Sequence, residues 1–178
     1  MTCIVGLVDG GRVWIGGDSA GTSGWDLAIR ADRKVFRNGP YVMGFTTSFR
    51  MGQLLRHGFE PPVPPEPLAD LEAFMATTFI DAVRERLKAG GWAAKNSERE
   101  GGGTFLVGVR GRLFEVEEDY QVGERRGGFA AVGCGAQVAH GALFATPDHL
   151  APDRVLLALV AAERFSAGVR GPFSIRAA

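Results

Sequence analysis

Met1-Thr2-Cys3-Ile4-Val5-Gly6-Leu7-Val8, then Asp9-Gly10-Gly11, then Val13-Trp14-Ile15-Gly16-Gly17, is the stretch on which the fold turns. Nearly every residue of 2–8 is apolar, the pattern of a strand covered on both faces rather than one half open to water. Asp9-Gly10-Gly11 has hairpin-turn chemistry, so 13–17 is expected to return beside 2–8 as a second strand.

Working outward, Asp18 to Asp32 is polar and Gly-containing and reads as a loop with short extended pieces. Lys34 to Arg37, the Asn38-Gly39-Pro40 turn and Tyr41 to Phe45 form a second hairpin. Ser48 to Arg56 fits a short helix turning Met51, Leu54 and Leu55 inward. The proline run from Pro61 to Pro67 then stops regular structure and reads as a stiff surface loop. From Asp70 to Lys88, Leu71, Phe74, Met75, Phe79, Ala82, Val83 and Leu87 recur at helical spacing, the clearest helix of the chain.

Ala89 to Gly103 is polar, glycine-rich and expected to be mobile. A third hairpin follows, Thr104 to Val109 and Arg112 to Val116 about Arg110-Gly111, and Phe129 to Val132 is one more strand. Gly133-Cys134-Gly135 breaks it into a small-residue helix, Ala136 to Ala145. A second helix, with Pro152 near its start, is expected to carry Val155, Leu156 and Leu159 inward and to run to about Phe165. Phe173 to Arg176 alternates and is expected to pair back into a sheet. Two strand blocks, each followed by helices, predict an α+β, four-layer αββα sandwich of two antiparallel sheets. Such layers also account for strands apolar on both sides.

The chain has 178 residues, enough for a single domain over 1–178 with its own core. Its 20 basic and 20 acidic residues cancel, so charge points to neither nucleic acid nor an anionic membrane as partner. No apolar run approaches the ~18 residues a membrane span needs. With only Cys3 and Cys134 and no leader pattern, a reduced, cytoplasmic protein is expected.

Thr2 carries the chemistry. Removal of Met1 would leave it with a free α-amine beside its hydroxyl, so nucleophile and base would share one residue. An α-amine titrates at roughly 7.7–8.0, and a neighbouring ammonium such as Lys34 would push it toward its neutral form. Asp18 would pair with Lys34 and fix its position. Threonine's β-branch holds Oγ in fewer directions than serine would. This set reads as an amide hydrolase.

Those residues also carry a resemblance. Thr2-Cys3-Ile4-Val5-Gly6, Gly16-Gly17-Asp18 and Arg33-Lys34-Val35 resemble the Thr-Thr-Ile-Val opening, Gly-Asp pair and Lys-Val motif of the proteasome β-subunit family, especially its bacterial two-tier ring members of the HslV type. Val42-Met43-Gly44-Phe45, Ala131-Val132-Gly133-Cys134-Gly135 and Ala158 to Arg164 extend the likeness over nearly the whole chain, thinly between Phe59 and Gly103. The resemblance implies a threonine-type endopeptidase with Thr2 as nucleophile, Asp18 and Lys34 as its ion pair, Cys134 in the place of a supporting serine and the Thr47 N–H facing the oxyanion. It implies a polypeptide substrate, a homo-oligomeric ring and an ATP-dependent unfoldase as partner; no cofactor and no metal are expected. The chain departs from the family at Thr46-Thr47-Ser48, where glycines are usual; at Cys134, a weaker hydrogen-bond donor than serine; and at Arg164-Phe165, where an acid is missing and Ser166 follows. These departures keep two other readings open: a catalytically silent ring or scaffold subunit, and an amidohydrolase for a small amide.

Three weaker signals are set aside. Gly17-Asp18-Ser19-Ala20-Gly21 spells a nucleophile elbow but lacks the helix that must follow. His57, His140 and His149 have no paired ligand spacing. Gly101-Gly102-Gly103 lacks the Lys-Ser/Thr of a phosphate loop.

Overall fold

The computed structural model describes residues 1–66, 70–96 and 99–178. The strands are β1 (Cys3–Asp9), β2 (Arg12–Gly17), β3 (Ala20–Ser23), β4 (Asp26–Ile29), β5 (Val35–Asn38), β6 (Tyr41–Phe45), β7 (Ala94–Asn96), β8 (Arg99–Gly101), β9 (Phe105–Val109), β10 (Arg112–Val116), β11 (Val122–Gly123), β12 (Phe129–Gly133) and β13 (Ser174–Ala177). The helices are α1 (Phe49–His57), α2 (Leu71–Phe74), α3 (Ile80–Ala89), α4 (Ala136–Ala145) and α5 (Ala151–Phe165).

Two antiparallel sheets carry the architecture, one in the order β12-β1-β2-β13 and the other β11-β10-β9-β6-β5. β1 alternates as a doubly covered strand must. Cys3, Val5 and Leu7 pack on Val155, Leu159 and Ala162 of α5 and on Ala139 and Leu143 of α4. Ile4 faces the other way, with Val13 and Ile15, onto Val35, Val42 and Leu106 of the second sheet. That sheet's outer face, including Met43, Phe45, Phe105 and Val107, is covered by α1 and α3. The result is the expected four-layer αββα sandwich, in which burial of each large side chain contributes about 1.5–3 kcal/mol.

Most expected elements stand where the sequence puts them, and β13 pairs with β2, Ile175 opposite Gly16. Ser48 caps α1 by accepting from Arg50 N at 3.0 Å, and Asp70 caps α2 by accepting from Ala73 N at 2.9 Å. Four differences have physical causes. The helix expected over Asp70 to Lys88 is interrupted by a wide π turn, Met75–Phe79. Besides Ile80, its buried residues, Leu71, Met75, Phe79, Val83 and Leu87, recur every fourth position, a spacing that drifts about 40° per step on a straight α-helix. The wide turn absorbs that drift, and the Thr77 hydroxyl donates to the Ala73 carbonyl at 2.6 Å.

Leu156 was expected inward and is 42% exposed, because α5 faces the sheet with Val155, Ala158, Leu159 and Ala162 instead. The Ala89 to Gly103 stretch was expected to be mobile and forms the β7–β8 hairpin, with Trp92 Nε1 donating to the Gly102 carbonyl at 2.6 Å. Residues 97 and 98 of that stretch, like Pro67 of the proline run, lie outside the described residues. The strand β11 has no expectation behind it, being two residues long. No helix among the described residues is long and apolar enough to cross a membrane.

Candidate active site

Thr2 immediately precedes β1, Asp18 follows β2 and Lys34 precedes β5, so three strand ends deliver three side chains to one point. Lys34 Nζ donates to Thr2 Oγ1 at 2.8 Å and to Asp18 Oδ1 at 2.8 Å. All three residues are buried. The Asp18 carboxylate is held by backbone donors as well, Cys3 N at 3.0 Å on Oδ1 and Ala20 N at 2.9 Å on Oδ2. Arg170 N adds a longer contact of 3.4 Å to Oδ2. Its full set of partners fixes the carboxylate and, through it, the ammonium.

Burial pulls the Lys34 ammonium below the ordinary lysine value, and the Asp18 carboxylate opposes that pull. The neighbouring Cys3 thiol is pushed up to about 12, first by burial and then by Asp18. Cys3 is therefore an inert core residue, and Cys134 is the thiol at the site.

Cys134 sits across the Thr2 backbone: Thr2 N donates to its Sγ at 3.3 Å and the thiol faces the Thr2 carbonyl at 3.5 Å. Gly135 N also donates to that carbonyl, at 3.3 Å. Gly133 makes this approach feasible: its φ is +96°, and a Cβ there would collide with the Thr2 carbonyl oxygen. Phe165 is 76% exposed and turns away, while Ser166 Oγ reaches the Cys134 carbonyl at 3.4 Å. With Met1 attached, Thr2 Oγ1 donates to the Met1 carbonyl oxygen at 2.5 Å.

Thr47 closes the site at φ +60°, a left-handed conformation costly for a β-branched residue. Its Oγ1 accepts from Thr104 N at 3.1 Å, which holds the strained turn, and its own N–H makes no hydrogen bond among the described residues. A crevice of about 60 Å³, walled by Thr22, Phe45, Thr46, Ser48 and Phe49, opens beside Thr2 and Lys34. Arg30 stacks over the Phe49 ring at 4.3 Å and stiffens that wall. A wider groove of about 500 Å³ runs from Met1 and Thr47 past Cys134 to Glu115 and Glu117. There, burial and then the adjacent Glu115 raise the Glu117 carboxyl above its usual value.

The structure thus brings Thr2, Asp18, Lys34, Cys134 and Thr47 together. It also adds groups without a sequence signal: the Arg170 N–H, which reaches Asp18 from the segment between α5 and β13, and the Thr22–Phe45–Phe49 wall. Ser19, of the elbow-like string, donates to the Pro172 carbonyl at 2.5 Å and leads into a strand rather than a helix. His140 accepts from Ala131 N at 3.0 Å, a role in the sheet–helix contact.

Two antiparallel sheets between helix layers, with the N-terminal strand central, make the architecture of the N-terminal-nucleophile hydrolases. The chain has the fold of the HslV-type, proteasome-like proteins within that class. It is similar to Thiobacillus denitrificans BPH in complex with epoxomicin, at TM-score 0.82 and 20% identity over 99% of this chain and 97% of that one. It is similar to eukaryotic HslV from Trypanosoma brucei at TM-score 0.69 and 19% identity, over 98% of both chains. It is also similar to Anbu (ancestral beta-subunit) from Yersinia bercovieri at TM-score 0.68 and 15% identity, over 99% of this chain and 81% of that one. No protein-family model and no curated protein matches the chain.

Proposed function

We propose that the chain is a cytoplasmic, single-domain threonine-type endopeptidase, active through Thr2 once Met1 is removed and assembled as a subunit of a self-compartmentalising ring. The observation that carries this reading is the buried line Thr2 Oγ1–Lys34 Nζ–Asp18 Oδ1, with 2.8 Å at each step. An amide nitrogen cannot take a proton, so loss of Met1 creates the base as well as opening the site. The Thr2 amine then accepts the Oγ proton as Oγ attacks the substrate carbonyl carbon, while the Lys34 ammonium stabilises the negative charge developing on Oγ. The Thr47 N–H stands ready for the oxyanion. Collapse breaks the C–N bond, with the amine's proton going to the leaving nitrogen and an ester left on Thr2. Water, deprotonated by the same amine, hydrolyses that ester and returns Oγ. Cys134 positions the amine.

The groove past Cys134 favours a polypeptide over a small amide, because it adjoins the narrow crevice at Met1, Thr46 and Thr47 and is long enough for a chain to lie along it. Subunit contacts are supported by the exposed apolar residues Phe144, Leu150, Leu157, Val160 and Phe165 at the α4–α5 layer. A ring of this kind would receive unfolded chains from an ATP-dependent unfoldase. The test is degradation of an unfolded protein by the Met1-free enzyme, with Thr2→Ala as control. Cleavage by the parent alone supports the reading. Turnover of small acyl amides with the protein left intact would instead establish the small-amide hydrolase suggested by the 60 Å³ crevice.

A further inference from the structure

A third cavity, of about 380 Å³, lies at α1 and α3 and shares Phe45 with the Thr2 crevice. Arg33, Arg50, Arg56, Arg86 and His57 line it, and its one carboxylate is Asp32. That carboxylate is already taken by Arg30, through bonds of 2.7 and 2.8 Å. Arg50 Nη2 donates to the Gly90 carbonyl at 3.1 Å. The guanidinium groups of Arg33, Arg56 and Arg86 form no hydrogen bond or ion pair among the described residues, although Arg56 lies near enough to help lower the Asp32 carboxyl. In a chain whose charges otherwise cancel, this is a local excess of cations in a concave site.

Arg86 points most directly to a ligand. Its Nε is sealed from solvent with no acceptor, although a buried charged donor without a partner costs free energy. Room for it is made by Gly58, where a Cβ would lie 2.7 Å from the guanidinium carbon. The fold therefore seats a guanidinium at the cavity wall and gives it no acceptor of its own. The guanidinium fork fits phosphate and carboxylate oxygens two at a time, and the cavity falls in the range of small-molecule sites, about 300–1,000 Å³.

We propose that this cavity binds a small polyanion carrying two or more phosphate or carboxylate groups, with Arg86 and Arg56 among its ligands. The inference rests on nothing claimed for Thr2. It is tested by calorimetric titration of pyrophosphate, and in parallel of citrate, into the full chain at low ionic strength. The expected result is saturable one-to-one binding of at least one probe, weakened by added salt and lowered about tenfold or more by Arg86→Gln and by Arg56→Gln. The probe that binds tells phosphate from carboxylate chemistry. Without ligand, Arg86→Gln should melt close to the parent temperature, because the half-buried guanidinium has no partner to lose; its loss of binding then cannot be ascribed to misfolding. Failure of both probes to bind at millimolar concentration, or binding unchanged in both variants, would overturn the proposal.

Discussion

The Lys34 ammonium donates to the Thr2 hydroxyl at 2.8 Å from a position that is 1% exposed. A cation so placed has a single polar surrounding, made by Thr2, Asp18 and the adjoining backbone. Replacing it by Lys34→Met is expected to slow reaction of the Met1-free protein with an epoxyketone by about 10²–10⁴-fold. Asp18→Asn leaves the ammonium buried and unpaired, and is expected to lower stability by about 3–5 kcal/mol in chemical denaturation.

The same burial sets a pH dependence. The native Lys34 value lies below the ordinary lysine 10.5, so between the two the unfolded chain binds more protons than the native one. Unfolding free energy of the parent should therefore rise with pH across that window relative to Lys34→Met, and the difference should level off below the native value. Labelling of Thr2 should fall over the same window as the cation is lost. Denaturation curves of both proteins at stepped alkaline pH check the first sign, and labelling rates check the second.

Cys134 receives the Thr2 N–H at 3.3 Å through a weakly accepting sulfur. Cys134→Ser should tighten that contact and raise the labelling rate about 2- to 10-fold, the worth of one ordinary hydrogen bond. Cys134→Ala should lower it. Equal rates in all three would remove Cys134 from the positioning of the amine.

How much of this could be read from the sequence depended on the range of the interaction. Thr2, Asp18 and Lys34 were legible because each borders a strand whose apolar run marks its end, and strand ends of one sandwich converge. The double burial of β1 was likewise written in Cys3 to Val8. Leu156 was not legible, because α5 carries two apolar stripes and Leu156, Leu157 and Val160 form the outer one. The Arg170 N–H on Asp18 was not legible either, since a backbone donor has no residue signature and its contact spans 152 positions. The arginine cavity draws on residues from 32 to 86, none of which forms a motif with its neighbours in the chain.

Gly133 offers a test of the site's geometry apart from its chemistry. At φ +96° and against the Thr2 carbonyl, alanine is both strained and in collision. Gly133→Ala should displace Thr2 and abolish labelling, with a loss of about 1–3 kcal/mol in stability from the backbone term. Crystallography of the variant would show whether Thr2 has moved from Lys34.

The central claim, that Thr2 is an N-terminal nucleophile, is most directly tested by the intact mass of the purified protein before and after exposure to an epoxyketone. The predicted result is loss of one methionine followed by a single adduct, absent from Thr2→Ala. Methionine lost and no adduct formed would contradict the account.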